Sequence, residues 1–170
     1  PATSTSEGRA YGLEVLFQQR LYKGFYGIAS YTLGRSEFED RNGNLVPSSW
    51  DARNIANLTL GKKFETDNFL NNIEIGINWR FQTGLPFTPF DENSSLVANW
   101  TVNQSGIRDF DRLNTLRTNN ANALDFRIDK KWFYEKWSLN LYFDIENVTG
   151  NAVTQPILLL DRPVDENGTP

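Results

Sequence analysis

The 170-residue sequence has no cysteine, no histidine and no methionine. Without cysteine it has no disulfides and no thiolate metal sites, and without histidine it lacks the commonest general base and the commonest metal ligand. Because the initiator methionine is also missing, we expect a processed chain or a piece of a longer protein. The longest aliphatic run, Ile157–Leu160, is far shorter than the roughly 18 apolar residues that a membrane-spanning helix needs.

A surplus of positive charge is also lacking. Lysine and arginine together number 17, aspartate and glutamate 21, and the net charge is -4. A nucleic-acid binder needs a basic face to neutralise phosphates, so we expect no nucleic-acid partner. A serine nucleophile would need a lysine or carboxylate base, and no spacing suggests one, so we expect neither an enzyme nor a cofactor. Glu37, Glu39 and Asp40 lack the regular spacing of a calcium loop, so we also expect no metal site.

Alternation of apolar and polar residues is the dominant pattern, and it is clearest in Asn72–Gln82. Apolar side chains occupy every second position, at Ile73, Ile75, Ile77, Trp79 and Phe81. Between them lie Glu74, Gly76, Asn78, Arg80 and Gln82. Successive side chains of a strand point to opposite faces, so this segment is predicted to be a β-strand with one apolar and one polar face.

Five further segments alternate in the same way and predict five more strands, at residues 11–18, 25–34, 56–62, 124–132 and 137–146. No segment has a convincing helical pattern, so we expect an all-β, antiparallel fold. Connections at 22–24, 65–71 and 133–136 are short, whereas those at 35–51 and 83–122 are long, polar and without evident structure. Short periplasmic turns opposite long extracellular loops are typical of outer-membrane β-barrels.

Aromatic residues cluster beside the three short turns. They are Tyr22, Phe25, Tyr26, Phe64, Phe69, Trp132, Phe133, Tyr134 and Trp137. Amphipathic rings favour the headgroup level of a membrane, so we expect a girdle at the periplasmic side. Lys62 and Lys130 fall on apolar faces near the same turns, where a lysine can extend its ammonium group to the interface. A soluble antiparallel sandwich or barrel would also alternate, but the loop asymmetry and the girdle favour a transmembrane barrel.

Several segments resemble the C-terminal barrel of TonB-dependent outer-membrane receptors of the Bacteroidota type. They span roughly residues 8–150 and occur in the family's order: Gly8–Glu14, Leu21–Gly27, Ser30–Ser36, Trp50–Asn54, Thr83–Pro89, Leu124–Phe133 and Asn140–Val148. Transporters of this class are barrels of about 22 strands with a plugged lumen. The resemblance therefore implies that residues 1–170 are one partial barrel domain of about six strands, with the plug domain and one closing strand absent from it.

The resemblance also implies a function and partners. Such a protein would import a scarce nutrient across the bacterial outer membrane, and its plug would couple it to a TonB-type energy-coupling protein. Outer-membrane lipid and the rest of its own barrel and plug would be further partners, and a surface lipoprotein is another candidate. The alternatives are a passive porin, a barrel enzyme with catalytic residues elsewhere, and a non-transporting structural or secretion-associated barrel.

Two groups of residues are candidates for function. Residues predicted to face the lumen are Glu74, Asn78, Arg80, Asp125, Arg127, Asp129 and Asp144. They could line a substrate path, but a charged wall that contacts the plug or water is the simpler interpretation, since barrel interiors are polar. Residues predicted to contact substrate from the loop 83–122 are Trp100, Arg108, Asp109 and Arg112. Loops on rigid scaffolds hold binding residues disproportionately, although a tryptophan can equally anchor its own loop.

Overall fold

A computed structural model describes residues 6–91 and 106–152. These residues form an all-β structure of antiparallel strands, with one 3₁₀ turn at Phe110–Arg112. In chain order the strands are β1 Gly8–Tyr22, β2 Phe25–Glu39, β3 Leu45–Pro47, β4 Asn54–Lys63, β5 Ile73–Gln82, β6 Pro86–Phe87, β7 Leu116–Arg117, β8 Ala121–Phe133 and β9 Ser138–Ile145.

Six strands form one continuous path in the order β1-β2-β4-β5-β8-β9, and every neighbouring pair is antiparallel. They correspond to the six strands predicted from alternation, so the all-β antiparallel fold is confirmed. β1 and β2 are longer than predicted, since each spans 15 residues. β3 also pairs with β2, which makes a seven-stranded sheet. β1 and β9 are its two edges and do not pair with each other within the described residues.

The pairing register sorts the side chains onto two faces, because residues that pair across antiparallel strands share a face. One row across five strands consists of Phe17, Ala29, Leu58, Trp79 and Leu124. The adjacent row consists of Gln18, Ile28, Thr59, Asn78 and Asp125. We call the two sides the apolar face and the polar face. The register therefore carries the alternation of single strands across the whole sheet.

Neither face of this sheet is covered by a second layer within the described residues. All residues of β1 and β9 are exposed, on both faces. Ile73 is the one large hydrophobic side chain that is buried in residues 6–91 and 106–152. A domain ordinarily buries the apolar face of a sheet against another layer of secondary structure. The described part of the chain supplies no such layer.

The β1–β2 connection is a two-residue turn. Lys23 and Gly24 both have positive φ, at 50° and 80°. Such turns have a backbone twist that matches the twist of the flanking strands. A Cβ atom on Gly24 would lie 2.3 Å from the Lys63 carbonyl oxygen, so this position also requires glycine for space. The tight turn brings the ends of β1, β2 and β4 together.

The long connection 83–122 was predicted to lack structure, and this was wrong. β6 and β7 pair in it, and the register of β5 and β8 continues into them, since Gln82 pairs with Ala121 and Pro86 with Arg117. The hairpin is interrupted at Gly84, where a Cβ atom would lie 1.7 Å from a carbonyl oxygen of the facing segment. The alternation was not recognisable because each strand has only two residues.

The long connection 35–51 was also wrongly predicted to lack structure. β2 continues to Glu39, and β3 then pairs back on it, so that Phe38 faces Val46. β3 lies in line with β4, which pairs with the earlier part of β2. Residues 48–53 leave the sheet between these two strands. We call residues 35–53, 83–91 and 106–120 the outer-loop cluster.

Candidate functional site

A connected set of charged side chains lies on the polar face, with Arg127 at its centre. Its Nε and Nη2 donate to the two carboxylate oxygens of Asp129, at 2.7 and 2.9 Å. Its Nη1 donates to Asp144 of β9 at 3.4 Å, and the guanidinium carbon lies 4.3 Å from the centroid of the Tyr142 ring. A two-point contact determines both position and orientation, so this guanidinium group is fixed.

A second group of polar-face side chains surrounds Asp125, nearer the long loops. Asp125 Oδ2 accepts hydrogen bonds from Arg80 Nη2 at 2.9 Å and from Asn78 Nδ2 at 3.1 Å. Its Oδ1 accepts the backbone N–H of Asn147 at 2.9 Å. The hydroxyl of Thr59 donates to Asn78 Oδ1 at 3.0 Å. Side-chain contacts therefore join β4, β5 and β8 on the polar face, in addition to the backbone ladder.

Tyr26 crosses the polar face between two strands. It pairs with Gly61 of β4, and its hydroxyl donates to Glu74 Oε1 of β5 at 2.6 Å. A Cβ atom on Gly61 would lie 2.1 Å from a ring carbon of Tyr26, so the ring occupies the space that the glycine leaves. Lys131 Nζ lies 3.8 Å from the other oxygen of Glu74.

Two members of the predicted aromatic girdle lie on the polar face, whereas a girdle in contact with lipid would need them on the apolar face. Tyr26 and Phe133 lie in rows of the polar face, because Tyr26 pairs with Gly61 and Phe133 pairs with Ser138. Sequence proximity to a turn does not distinguish the faces, whereas a shift of one residue reverses them. Trp137 lies in the β8–β9 turn, stacked on Tyr134 at 4.1 Å, and not in a strand as predicted.

The charged groups border a cleft of about 230 Å³ on the polar face. Its lining residues are Tyr26, Glu74, Gly76, Arg127, Asp129 and Lys131. Every charged side chain in this set has an oppositely charged neighbour. Paired charges of both signs can hold a polar or zwitterionic surface by hydrogen bonds. They produce no field of a single sign that would select one class of ion.

All seven residues predicted to face the lumen lie on the polar face. They are Glu74, Asn78, Arg80, Asp125, Arg127, Asp129 and Asp144. Ion pairs and hydrogen bonds join six of them in two separate groups, Asn78, Arg80 and Asp125 in one and Arg127, Asp129 and Asp144 in the other. Glu74 contacts Tyr26 and Lys131 instead. Their common face is thus an observation, and that this face lines a lumen stays a prediction.

The residues predicted to contact substrate have different environments. Arg108 Nη1 donates to the Thr88 carbonyl at 3.2 Å, and its guanidinium carbon lies 5.2 Å from the centroid of the Phe90 ring. The Asp109 carboxylate caps the 3₁₀ turn by accepting the N–H of Asp111. The side chain of Arg112 is exposed. Trp100 lies outside the described residues. Of the three described residues, Arg112 is thus the most available for a ligand.

Sequence reasoning missed the most buried polar group of the outer-loop cluster, Asp51. Its Oδ1 accepts the backbone N–H of Ser36 at 2.9 Å, at the point where residues 48–53 leave β2. Its other oxygen accepts from Arg117 Nη2. Arg117 Nη1 donates to the carbonyls of Asp51 and Gly84, at 2.7 and 2.9 Å. The Asp51–Arg117 ion pair therefore joins β2, residues 48–53 and the β6–β7 hairpin, and Arg53 Nε lies 3.7 Å from the same carboxylate oxygen.

A second buried polar group belongs to the same outer-loop cluster. Asn114 has a φ of 53°, and its Nδ2 donates to the Pro47 carbonyl at 2.8 Å. Its backbone N–H donates to Thr88 Oγ1 at 3.1 Å, and Thr88 Oγ1 donates to Asn114 Oδ1 at 3.2 Å. Arg41 and Asp111 form an exposed ion pair across the same contact. The sequence signal was weak, because these partners are far apart along the chain.

The β2–β3 turn is organised around Asp40. Its Oδ1 accepts the backbone N–H groups of Asn44 and Asn42, both at 2.8 Å. The hydrogen bond from Asn44, with a smaller contribution from the one from Asn42, holds the pKa of the Asp40 carboxyl below its ordinary value. Gly43 supplies the positive φ, 79°, that the turn needs. Asp40 is thus a turn residue.

Two lysines lie on the apolar face near the short turns, as predicted. Lys62 Nζ is 3.7 Å from the centroid of the Phe25 ring and donates to a turn carbonyl. Lys130 Nζ is 5.2 Å from the centroid of Phe69 and 5.6 Å from that of Trp132, and it donates to two turn carbonyls. Both ammonium groups therefore extend toward the turn end of the sheet. A membrane interface at that level stays a prediction.

Within residues 6–91 and 106–152, no three acidic side chains are grouped so that they could hold a metal ion. In the same residues, no helix has the length and apolar character needed to cross a membrane. Comparison with protein-family models, with curated proteins and with solved structures found no match to this chain.

Proposed function

We propose that this chain is part of the barrel of an energy-coupled nutrient importer in a bacterial outer membrane. The observation that carries the proposal is the asymmetry of the sheet, which has an uncovered apolar face and a charged face whose groups are paired. In a transmembrane barrel, lipid covers the outward apolar face and the interior is polar. The resemblance of residues 8–150 to TonB-dependent receptors supports the specific class.

The open edges of the sheet fit a larger barrel. Every second residue of the 15-residue β1 directs its backbone N–H and C=O groups to one edge, and every second residue of the eight-residue β9 does so at the other. Within the described residues no further strand pairs with either edge. Each backbone group left unpaired in lipid costs several kcal/mol, so spanning sheets close into barrels. Further strands of a barrel of about 22 would pair with both edges.

The two ends of the strands support an orientation. The short turns would face the periplasm, where Lys62 and Lys130 extend their ammonium groups toward the headgroup level. The outer-loop cluster would then face the outside of the cell and meet the nutrient. Arg112 is the best candidate for direct contact, because Arg108 and Asp109 already hold the loop together.

The charged wall favours a plugged lumen over an open pore. Its acidic and basic groups neutralise one another in pairs, such as Arg80 with Asp125 and Arg127 with Asp129. A wall of this kind offers hydrogen bonds to a folded plug, whereas a selective pore carries a field of one sign. A plug would lie in a part of the protein outside these residues, and it would couple transport to a TonB-type protein.

The test is conductance and uptake of the full-length protein. In planar bilayers bathed in potassium chloride, we expect little steady current, because the plug fills the lumen. In cells, depletion of nutrients from the medium should stop when a protonophore removes the energy source. Large steady currents, together with uptake that is the same with and without the protonophore, would overturn the proposal and indicate a passive porin. Absence of the protein from the outer membrane would overturn the membrane assignment itself.

A further inference from the structure

A basic cavity lies at the turn end of β1, β2 and β4. It has a volume of about 490 Å³, and three lysines and one glutamate border it: Lys23, Lys62, Lys63 and Glu65. Leu21 and Phe64 supply apolar walls. The cavity is bordered by residues of both faces, since Lys62 pairs with Ile75 on the apolar face and Lys63 pairs with Glu74 on the polar face. It is separate from the charged cleft of the polar face and from the outer-loop cluster.

The charges of this cavity do not cancel. Lys63 Nζ bonds Glu65 Oε1 at 2.7 Å, which neutralises one lysine and the glutamate. Lys62 Nζ donates to the carbonyl of Lys23, and Lys23 Nζ lies 5.4 Å from the centroid of the Tyr22 ring. In residues 6–91 and 106–152, no carboxylate lies within ion-pair distance of Lys23 or Lys62. Two positive charges therefore remain for an anion.

The turn places no side chain against one of these charges. Gly24 lacks a Cβ atom, which would lie 3.2 Å from Lys62 Nζ. An ammonium group has three donors, and one of them is used on the Lys23 carbonyl. The free donors of Lys62 and the ammonium group of Lys23 can therefore bond an anion with several oxygens.

We propose that this cavity binds the phosphate of an anionic phospholipid headgroup. Two uncompensated lysines match a phosphate, and the apolar walls match the adjoining glycerol and upper acyl chain. Basic residues at a membrane surface attract anionic lipids. The inference rests on the proposed membrane orientation, which places the short turns at a headgroup level.

Lys130 provides a matched control. It also lies on the apolar face near a short turn and contacts two aromatic rings. Its ammonium group, however, donates to the carbonyls of Phe69 and Asn71, and it does not border the cavity. Lys62 likewise contacts two rings and donates to a turn carbonyl, so Lys130 differs from it chiefly in lying away from the cavity.

The experiment is a titration of the full-length protein in detergent with phosphatidylglycerol, followed by native mass spectrometry. Lys23→Asn combined with Lys62→Gln should weaken binding roughly thirtyfold, from the loss of two surface charges. Asparagine suits the positive φ of position 23. Lys130→Gln should change binding little, and Lys62→Arg should retain it. Zwitterionic phosphatidylcholine should bind more weakly than phosphatidylglycerol.

Three results would overturn the site. One is equal weakening by Lys130→Gln, which would indicate general surface charge. Another is unchanged binding in the double variant. The third is displacement of the lipid by inorganic phosphate at similar concentration, which would indicate a site for free anions. Heat-modifiable mobility and outer-membrane location of each variant are measured in parallel. A variant that inserts normally but binds no less lipid refutes only this site, whereas a wild-type protein outside the membrane refutes the proposed function as well.

Discussion

The sheet and the outer-loop cluster bury their side chains in opposite ways. β1 is exposed along its whole length, and large side chains such as Phe17 and Leu141 are about two-thirds exposed. In the outer-loop cluster, Asp51, Thr88 and Asn114 are buried although they are polar. The sheet has regular backbone pairing without a core, whereas the cluster has little regular pairing and a buried polar centre.

This difference shows what each region depends on. The cluster satisfies its buried groups from within the chain, since Asp51 and Arg117 bond each other and nearby backbone groups. In the sheet, the backbone groups between neighbouring strands are hydrogen-bonded to each other. The apolar face, however, has no contact with a second layer within the described residues and needs another surface to cover it. The stability of the sheet should therefore depend on that surface, and the stability of the cluster should depend on its own ion pair.

The largest expected effect is on the cluster, from Arg117→Met. This change removes the cation that hydrogen-bonds the buried Asp51 carboxylate and leaves only the longer contact with Arg53, whose Nε is 3.7 Å from Asp51 Oδ2. Breaking a buried pair costs about 3–5 kcal/mol, and this is the upper limit here because Arg53 remains. Hydrogen–deuterium exchange of residues 48–53 and 116–120 should show local opening that is easier by up to that amount. Arg9→Gln, which breaks the exposed pair with Glu37, is the control and should leave exchange in the cluster unchanged.

The next effect distinguishes the two faces of the sheet. Ile77 lies on the apolar face and is 37% exposed, whereas Ile28 lies on the polar face and is 41% exposed. Their two rows of paired residues are next to each other near the middle of the sheet. In lipid, Ile77→Arg should reduce the unfolding free energy by about 2–4 kcal/mol, as for an arginine at the bilayer midplane, and Ile28→Arg should reduce it much less. Equal losses in urea titrations would contradict a lipid-facing apolar side.

A smaller effect is expected where the hairpin of β5 and β8 is interrupted. Gly84→Ala would place a Cβ atom 1.7 Å from the Thr118 carbonyl oxygen, so the two segments must separate. Overpacking of this kind costs about 1–3 kcal/mol. Gly76→Ala, within β5, is the control, because the atom nearest to its Cβ would be at 3.8 Å. Hydrogen exchange of residues 83–88 should increase in the first variant alone.

The smallest effect concerns pH at the β2–β3 turn. The folded pKa of Asp40 lies below its ordinary value, so the ionised carboxylate stabilises the turn at neutral pH. This contribution should begin to be lost as the pH falls to about 4, the ordinary carboxyl value, and should be gone below the folded pKa. Exchange protection of residues 42–44, corrected for intrinsic rates, should fall over that range. Asp40→Asn should have lower protection at neutral pH and no such pH dependence.

The sequence by itself determined the strands and their faces. Period two requires only that neighbouring side chains point in opposite directions, which is a local property of the backbone. The six strands and the common face of Arg80, Asp125 and Arg127 could therefore be predicted. Loop lengths likewise indicated which strand ends are joined by tight turns, such as the one at Lys23 and Gly24.

Only the tertiary structure decided which groups lie together across strands. The partners Asp51 and Arg117 are 66 residues apart, and Lys23 and Lys62 are 39 residues apart. These residues are close because of the pairing register of the strands and because residues 48–53 leave the sheet. The register and the path of residues 48–53 produce no periodic pattern in the sequence. Tyr26 shows the same limit, because its neighbours along the chain suggested a membrane girdle. The register instead placed its ring over Gly61 on the polar face, since a single residue of register decides the face.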